Sequence, residues 1–139
     1  MMRFEGKVRK DGRLWLIEIP LLNVMTQGRS RKEAFEMIKD AIESLVNREG
    51  FEVTVYPGRK NMFEVGASDT GLMVSLLLRR QREAHGLPLS EVSRRLNQSS
   101  PNAYARYEQG KSVPTVEKLR ELMSAVNPGG ELVVRESRL

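Results

Sequence analysis

The stretch that most constrains the fold is Ser100 to Leu119, SPNAYARYEQGKSVPTVEKL. It reads as one short helix, a hinge, and the start of another. Ser100 is a good N-cap, and Pro101 fits the first helical position, where its missing N–H costs nothing. Tyr104 and Tyr107 fall on one face at i, i+3, while Asn102, Ala103 and Arg106 look elsewhere. Gly110 can take the left-handed conformation that ends a helix. Pro114 and Thr115 then restart the chain as a new helix. A short helix with a tyrosine-packed back and a small polar front suits the reading of a DNA groove.

Upstream runs supply the elements such a helix needs. Met73, Leu76, Leu77 and Ala84 outline a first helix ending at Gly86; Leu89, Val92 and Leu96 mark a second. Val116, Leu119, Leu122, Met123 and Val126 mark a fourth, closed by Pro128-Gly129-Gly130. Arg106-Tyr107-Glu108, Gly110, Pro114, Val116 and Leu119 resemble the second half of helix-turn-helix domains of the Cro/phage-repressor class. Leu76 to Arg82, Gly86-Leu87, Ser90-Glu91-Val92 and Arg94-Arg95-Leu96 resemble the first half. The resemblance covers residues 72–127 and implies binding to double-stranded operator DNA.

On this reading the helix from Ser100 enters the major groove. Asn102 can bond an adenine edge, and Ser100 and Ala103 are small enough for close approach. Arg106, Lys111 and the N–H groups at the helix starts would hold phosphates. Asn97-Gln98-Ser99-Ser100 makes the run from Leu96 to Tyr107 one residue longer than usual for the class, with Asn97 where Gly is common. Leu89 stands where a phosphate-binding Gln is common. The turn is therefore expected to be reshaped, with Gln98 and Ser99 reaching DNA themselves. Arg106 and Glu108 are also a candidate pair for bracing the hinge. A short strand, Leu132-Val133-Val134, is expected in the tail, residues 128–139.

The first half has a different rhythm. Arg3 to Val8 alternates as a strand, and Asp11-Gly12 is a two-residue hairpin signal. Leu14 to Ile19 is apolar on both sides, which predicts a central strand covered on each face. Val24 to Gln27 would be a third strand. Ser30-Arg31-Lys32-Glu33 is a capping box opening an amphipathic helix through Ala34, Phe35, Ile38, Ala41, Ile42, Leu45 and Val46. Phe51, Val53 and Val55 alternate as a fourth strand; after Pro57-Gly58, Met62 to Val65 make a fifth. This predicts an α+β domain over residues 1–66 with its helix on one face of the sheet. Gly66 to Gly71 is small, polar and aperiodic, so residues 67–71 are expected to be a linker.

Trp15-Leu16-Ile17-Glu18-Ile19-Pro20, Thr26-Gln27-Gly28, Ser30, Glu33-Ala34, Ile38 and Ala41-Ile42 resemble the HicB antitoxin family. That resemblance implies a truncated ribonuclease-H-like β-β-β-α-β sheet ahead of a DNA-binding module. It further implies that the first domain masks a small messenger-RNA-cleaving toxin, HicA, while the second represses the shared operon. The alternative is a free-standing transcription factor whose first domain only dimerises or senses a ligand.

Charge agrees with this division. Residues 1–70 hold 12 Lys/Arg against 11 Asp/Glu, a net of +1; residues 71–139 hold 11 against 7, a net of +4. The excess lies where the DNA-binding pattern lies. With no cysteine there is neither a disulfide framework nor a thiolate metal site. No apolar run approaches the roughly 18 residues of a membrane span, and an intracellular, cytoplasmic protein is the expectation. A ribonuclease-H-like nuclease would need converging carboxylates on a divalent metal. Only Glu5, Glu18 and Asp40 are candidates by placement, and His85, beside Gly86, suits a helix end better than a base. No cofactor or metal is expected and no catalysis. One helix-turn-helix touches few base pairs, so a homodimer or tetramer is expected.

Overall fold

The computed structural model describes all 139 residues, which divide into two units. The first comprises Met1–Thr70 with Ser137–Leu139, the second Gly71–Glu136.

In the first unit, β1 (Arg3–Asp11), β2 (Leu14–Ile19), β3 (Val24–Gly28), β4 (Val53–Pro57) and β5 (Met62–Ala67) form one sheet. Its order is β3-β2-β1-β5-β4, with every neighbouring pair antiparallel. A short 3-10 turn, Pro20–Leu22, joins β2 to β3, and α1 (Arg31–Val46) leads from β3 to β4. The β1–β2 turn sits one residue later than expected. Asp11 still pairs with Leu14, so Gly12 and Arg13 make the turn, with Gly12 at a φ of 62° that favours glycine.

Alternation sorts the side chains between the two faces. Phe4, Val8, Ile17, Ile19, Val24, Phe63, Val65 and Ala67 are buried on the face that α1 covers with Ala34, Ile38 and Ile42. Phe35 of α1 meets Phe63 edge-on, ring centroids 5.5 Å apart. α1 starts where Ser30 Oγ accepts the Glu33 N–H at 3.0 Å. The helix then crosses β3 so closely that a Cβ on Gly28 would run into the Ala34 backbone. The other face carries Glu5, Lys7, Arg9, Leu14, Glu18, Met25 and Gln27. No second layer covers β2 there. Leu14 is 37% exposed and Met25 67%.

Glu43, near the end of α1, ties the helix to β4. Its Oε2 accepts from Lys39 Nζ at 2.6 Å and from the Val53 N–H at 2.8 Å. Burial pushes this carboxyl up, but the Lys39 ammonium and the Val53 N–H together hold it below its ordinary value. A carboxyl lowered in the folded state stabilises the fold above its ordinary range, and that contribution fades as pH falls through it. The first domain should therefore lose melting temperature as pH falls through and below the ordinary glutamate value of about 4.3, and Glu43→Gln should flatten that slope. An unchanged slope in Glu43→Gln melts would remove this carboxylate from the account.

The second unit holds α2 (Thr70–Ala84) from its second residue on, with α3 (Leu89–Arg95), α4 (Pro101–Glu108) and α5 (Val116–Val126). Its buried apolar side chains include Met73, Leu76, Leu78, Val92, Tyr104, Leu122 and Val126. The expected linker is shorter than residues 67–71. Ala67 ends β5, pairing with Val53, and Thr70 and Gly71 already lie in α2, leaving Ser68 and Asp69 as the exposed connection.

The tail strand expected at Leu132–Val134 does not form; residues 128–139 contain neither helix nor strand. Val133 and Val134 are 86% and 93% exposed, and a strand needs a neighbour to take its N–H and C=O groups. The end of the tail is held by side chains instead. Ser137 Oγ donates to Glu64 Oε1 at 2.6 Å, beside Arg3 at 3.2 Å from the same oxygen. Glu64 is 5% exposed, so its carboxylate requires such partners.

Candidate nucleic-acid interface

Three sharp helix ends shape the second unit. At each, a residue with positive φ follows the helix, and its own N–H and the next one bond back to the last turn, a Schellman closure. After α2, Gly86 and Leu87 donate to Glu83 O and Arg82 O at 3.0 and 3.1 Å. After α4, Gly110 at a φ of 72° and Lys111 donate to Tyr107 O and Arg106 O at 3.2 and 3.0 Å. After α3 the same closure is made by Asn97, at a φ of 57°, which donates to Arg94 O at 3.1 Å while Gln98 donates to Ser93 O at 2.9 Å. Asn tolerates the left-handed region better than most residues, so it replaces the usual Gly. The longer turn is thus an ordinary helix end followed by Ser99 and the cap at Ser100.

Ser100 Oγ accepts the Asn102 N–H at 3.2 Å and starts α4. From there the helix splits as its spacing predicts, with one change. Tyr104 is wholly buried, whereas Tyr107 is only half-buried, so Tyr104 alone anchors the back. Ser99, Ser100, Asn102, Ala103, Arg106 and Lys111 are all exposed. Gln98 is half-buried, and its Oε1 is turned inward with no hydrogen-bond partner. Its amide oxygen is therefore not displayed with the others. Gln109, one turn beyond Arg106, is exposed as well. Its i+3 spacing from Arg106 is the signal in the sequence that places it on this face.

The hinge brace is not Arg106 with Glu108. Residues two apart on a helix do not face each other, and Glu108 turns to α2 instead. Its carboxylate takes Arg82 Nε at 2.7 Å and Arg82 Nη2 at 3.0 Å, a two-pronged pair with side chains 7% and 17% exposed. Arg82 Nη1 also donates to Leu87 O at 2.9 Å, tying the α2–α3 corner to α4. The hydrogen bonds that Arg82 donates to Glu108, opposed by burial, hold its guanidinium above its ordinary value. Glu108→Ala would strand a largely buried cation. It should lower second-domain stability by about 3–5 kcal/mol, read as a loss in denaturant midpoint. A midpoint within error of wild type would mean that Arg82 finds another partner.

Most other cations of this unit are engaged. Arg79 and Arg80 approach Glu83, Arg94 and Arg95 meet Glu91, Lys118 meets Glu121, and Arg120 meets Glu117. Arg94 lies closest to the Glu91 carboxylate, whose pKa is lowered to about 2 chiefly by that hydrogen bond. Arg106 and Lys111 make no ion pair; both are exposed, on α4 and just after it. Two unneutralised cations thus flank a front of Asn102, Ala103 and Ser100, which leaves them available to an external polyanion.

The three carboxylates considered for metal chemistry are not brought together. Glu5 and Glu18 lie on the open sheet face, across from Glu64 and Lys7 respectively, while Asp40 is exposed on α1. His85 is exposed at the end of α2, its Nδ1–H donating to Gln81 O at 2.7 Å. No helix is long and apolar enough to cross a membrane.

Residues 78–127 match the helix-turn-helix family, a stretch beginning within α2 and closing just after α5. No curated protein matches the chain.

Proposed function

We propose, from the premise that the second domain is the DNA-binding helix-turn-helix of a transcriptional regulator, that this protein is an antitoxin repressing its own operon. The observation that carries the DNA reading is the exposed front of α4, with Arg106 and Lys111 unpaired beside it. α4 enters the major groove and Asn102 reads base edges, while the two cations and the N–H groups at the helix starts hold the backbone.

The first domain is then a protein-binding platform of the HicB type, truncated ribonuclease-H-like, and not an enzyme. The reading is supported by the HicB-like residues on β2, β3 and α1 and by the order of the sheet ahead of the helix-turn-helix. Its partner is a small, basic, messenger-RNA-cleaving toxin of the HicA type, whose active site it covers. The chain acts as a homodimer or tetramer in the cytoplasm, without a cofactor.

Co-expression with the small protein encoded next to it tests the reading. A stable complex, and relief of growth arrest by the first domain's sheet, is the expected result. If the neighbouring protein neither arrests growth nor is retained, the first domain serves only self-association or a ligand.

A further inference from the structure

The two edges of the first domain's sheet are treated differently. On β4, Pro57 has no N–H to offer, and the Val53 N–H is taken by Glu43 at 2.8 Å. These are devices that blunt an edge against further pairing. On β3 no such device exists. Val24–Gly28 contains no proline and no charged residue, and its only backbone partners lie on β2. Its outward N–H and C=O groups are therefore unused. An exposed apolar side chain stands on the same edge strand, Met25 at 67%, and Leu21 in the turn leading into it is 39% exposed.

We infer that β3 is the edge through which two copies of this chain associate, antiparallel about a two-fold axis, joining their sheets into one. The occupant is argued from the strand itself. A two-fold axis sets a strand against its own sequence, and like charges facing each other across strands are destabilising. An uncharged strand escapes that penalty. With the axis at Thr26, Met25 of one copy faces Gln27 of the other on the open face, and Thr26 faces Thr26. The exposed Met25 of each copy is then drawn out of water at the seam. The tail segment Leu132–Val134, expected as a strand, forms none and offers no edge to pair, whereas β3 is already extended and ordered into a sheet. Self-pairing gains its purpose from the operator-binding reading, since it relates two reading helices by a two-fold axis, but its geometry is independent of that reading.

Two full-length double variants test it, Met25→Lys with Gln27→Lys and Met25→Glu with Gln27→Glu. Both positions are exposed, so each variant should fold with the far-ultraviolet circular dichroism of wild type, and only wild type should melt higher as its concentration rises. In sedimentation experiments without DNA, wild type should run at twice the 15.8 kDa chain mass. Each variant alone should be monomeric under the same conditions, its dissociation constant raised by on the order of tenfold or more. Mixed one to one, the two variants should reform a dimer. A wild-type monomer, a wild type that associates only with a second protein species, variants that stay dimeric, or a mixture that stays monomeric would each overturn self-pairing through β3. Salt-dependent binding of a random DNA duplex, measured separately on the monomeric variants, reports whether the helix-turn-helix reading holds.

Discussion

Tyr104→Ala should unfold the second domain at ordinary temperature, whereas Tyr107→Ala should only lower its melting point. Tyr104 is fully buried on the back of α4, beside the Arg82–Glu108 pair. Burial foremost, with the nearby Glu108 carboxylate, pushes its phenol well above the usual range. Truncating a buried aromatic to Ala costs about 3–5 kcal/mol. At roughly 0.05–0.15 kcal/mol per residue, a domain of this size has only about 3–8 kcal/mol in all. The cavity would open directly under the hinge that Arg82 and Glu108 hold. Tyr104→Phe should cost far less, because the hydroxyl has no hydrogen-bond partner of good geometry to lose. Circular-dichroism melts of the three variants decide the order. Tyr107→Ala proving the more damaging would mean that α4 turns its other tyrosine to the core.

On DNA, the largest separation should lie between Asn102 and the two unpaired cations. Arg106→Ala with Lys111→Ala should weaken binding to every duplex alike. Each lost phosphate contact should flatten the slope of log affinity against log salt by about 0.9, and the double variant by about twice that. Asn102→Ala should leave the slope unchanged and cost about 1–3 kcal/mol on the preferred sequence alone. Titrations over a salt series, on an operator selected from random DNA and on an unrelated duplex, check both. An Asn102→Ala loss equal on the two duplexes would move this residue from base reading to backbone contact.

Much of this was open to inspection along the chain, because local chemistry speaks for itself. The period of two in Arg3–Val8 and the period of 3.6 after Ser30 specify strand and helix wherever the chain goes. Ser30 and Ser100 cap helices through groups two or three residues away, and Gly110 ends α4 through its own backbone freedom. The exposed front of α4 follows from the same periodicity, since Asn102, Ala103 and Arg106 are placed by the helix itself. Asn97 is the instructive middle case. Its left-handed conformation is local, yet only the bonds from Asn97 and Gln98 back to α3 show that the longer turn is a regular closure.

What could not be read locally depends on partners distant in sequence. Glu108 offers the same carboxylate to Arg106 and to Arg82, and only the packing of α2 against α4, 26 residues away, makes Arg82 its partner. Tyr104 and Tyr107 have the same apolar character and similar spacing; the core accepts one fully because the helix meets it at one angle. Leu132–Val134 has a strand's composition but no neighbouring strand, and composition cannot supply hydrogen-bond partners. Leu14 and Leu16 suggested a strand covered on both faces, but β2 has a helix on one side only. Capping and periodicity act over a few residues and are written in the residues themselves. Ion pairs, burial and strand pairing join groups far apart in the chain, and each side chain has several acceptable partners until the fold brings one of them within reach.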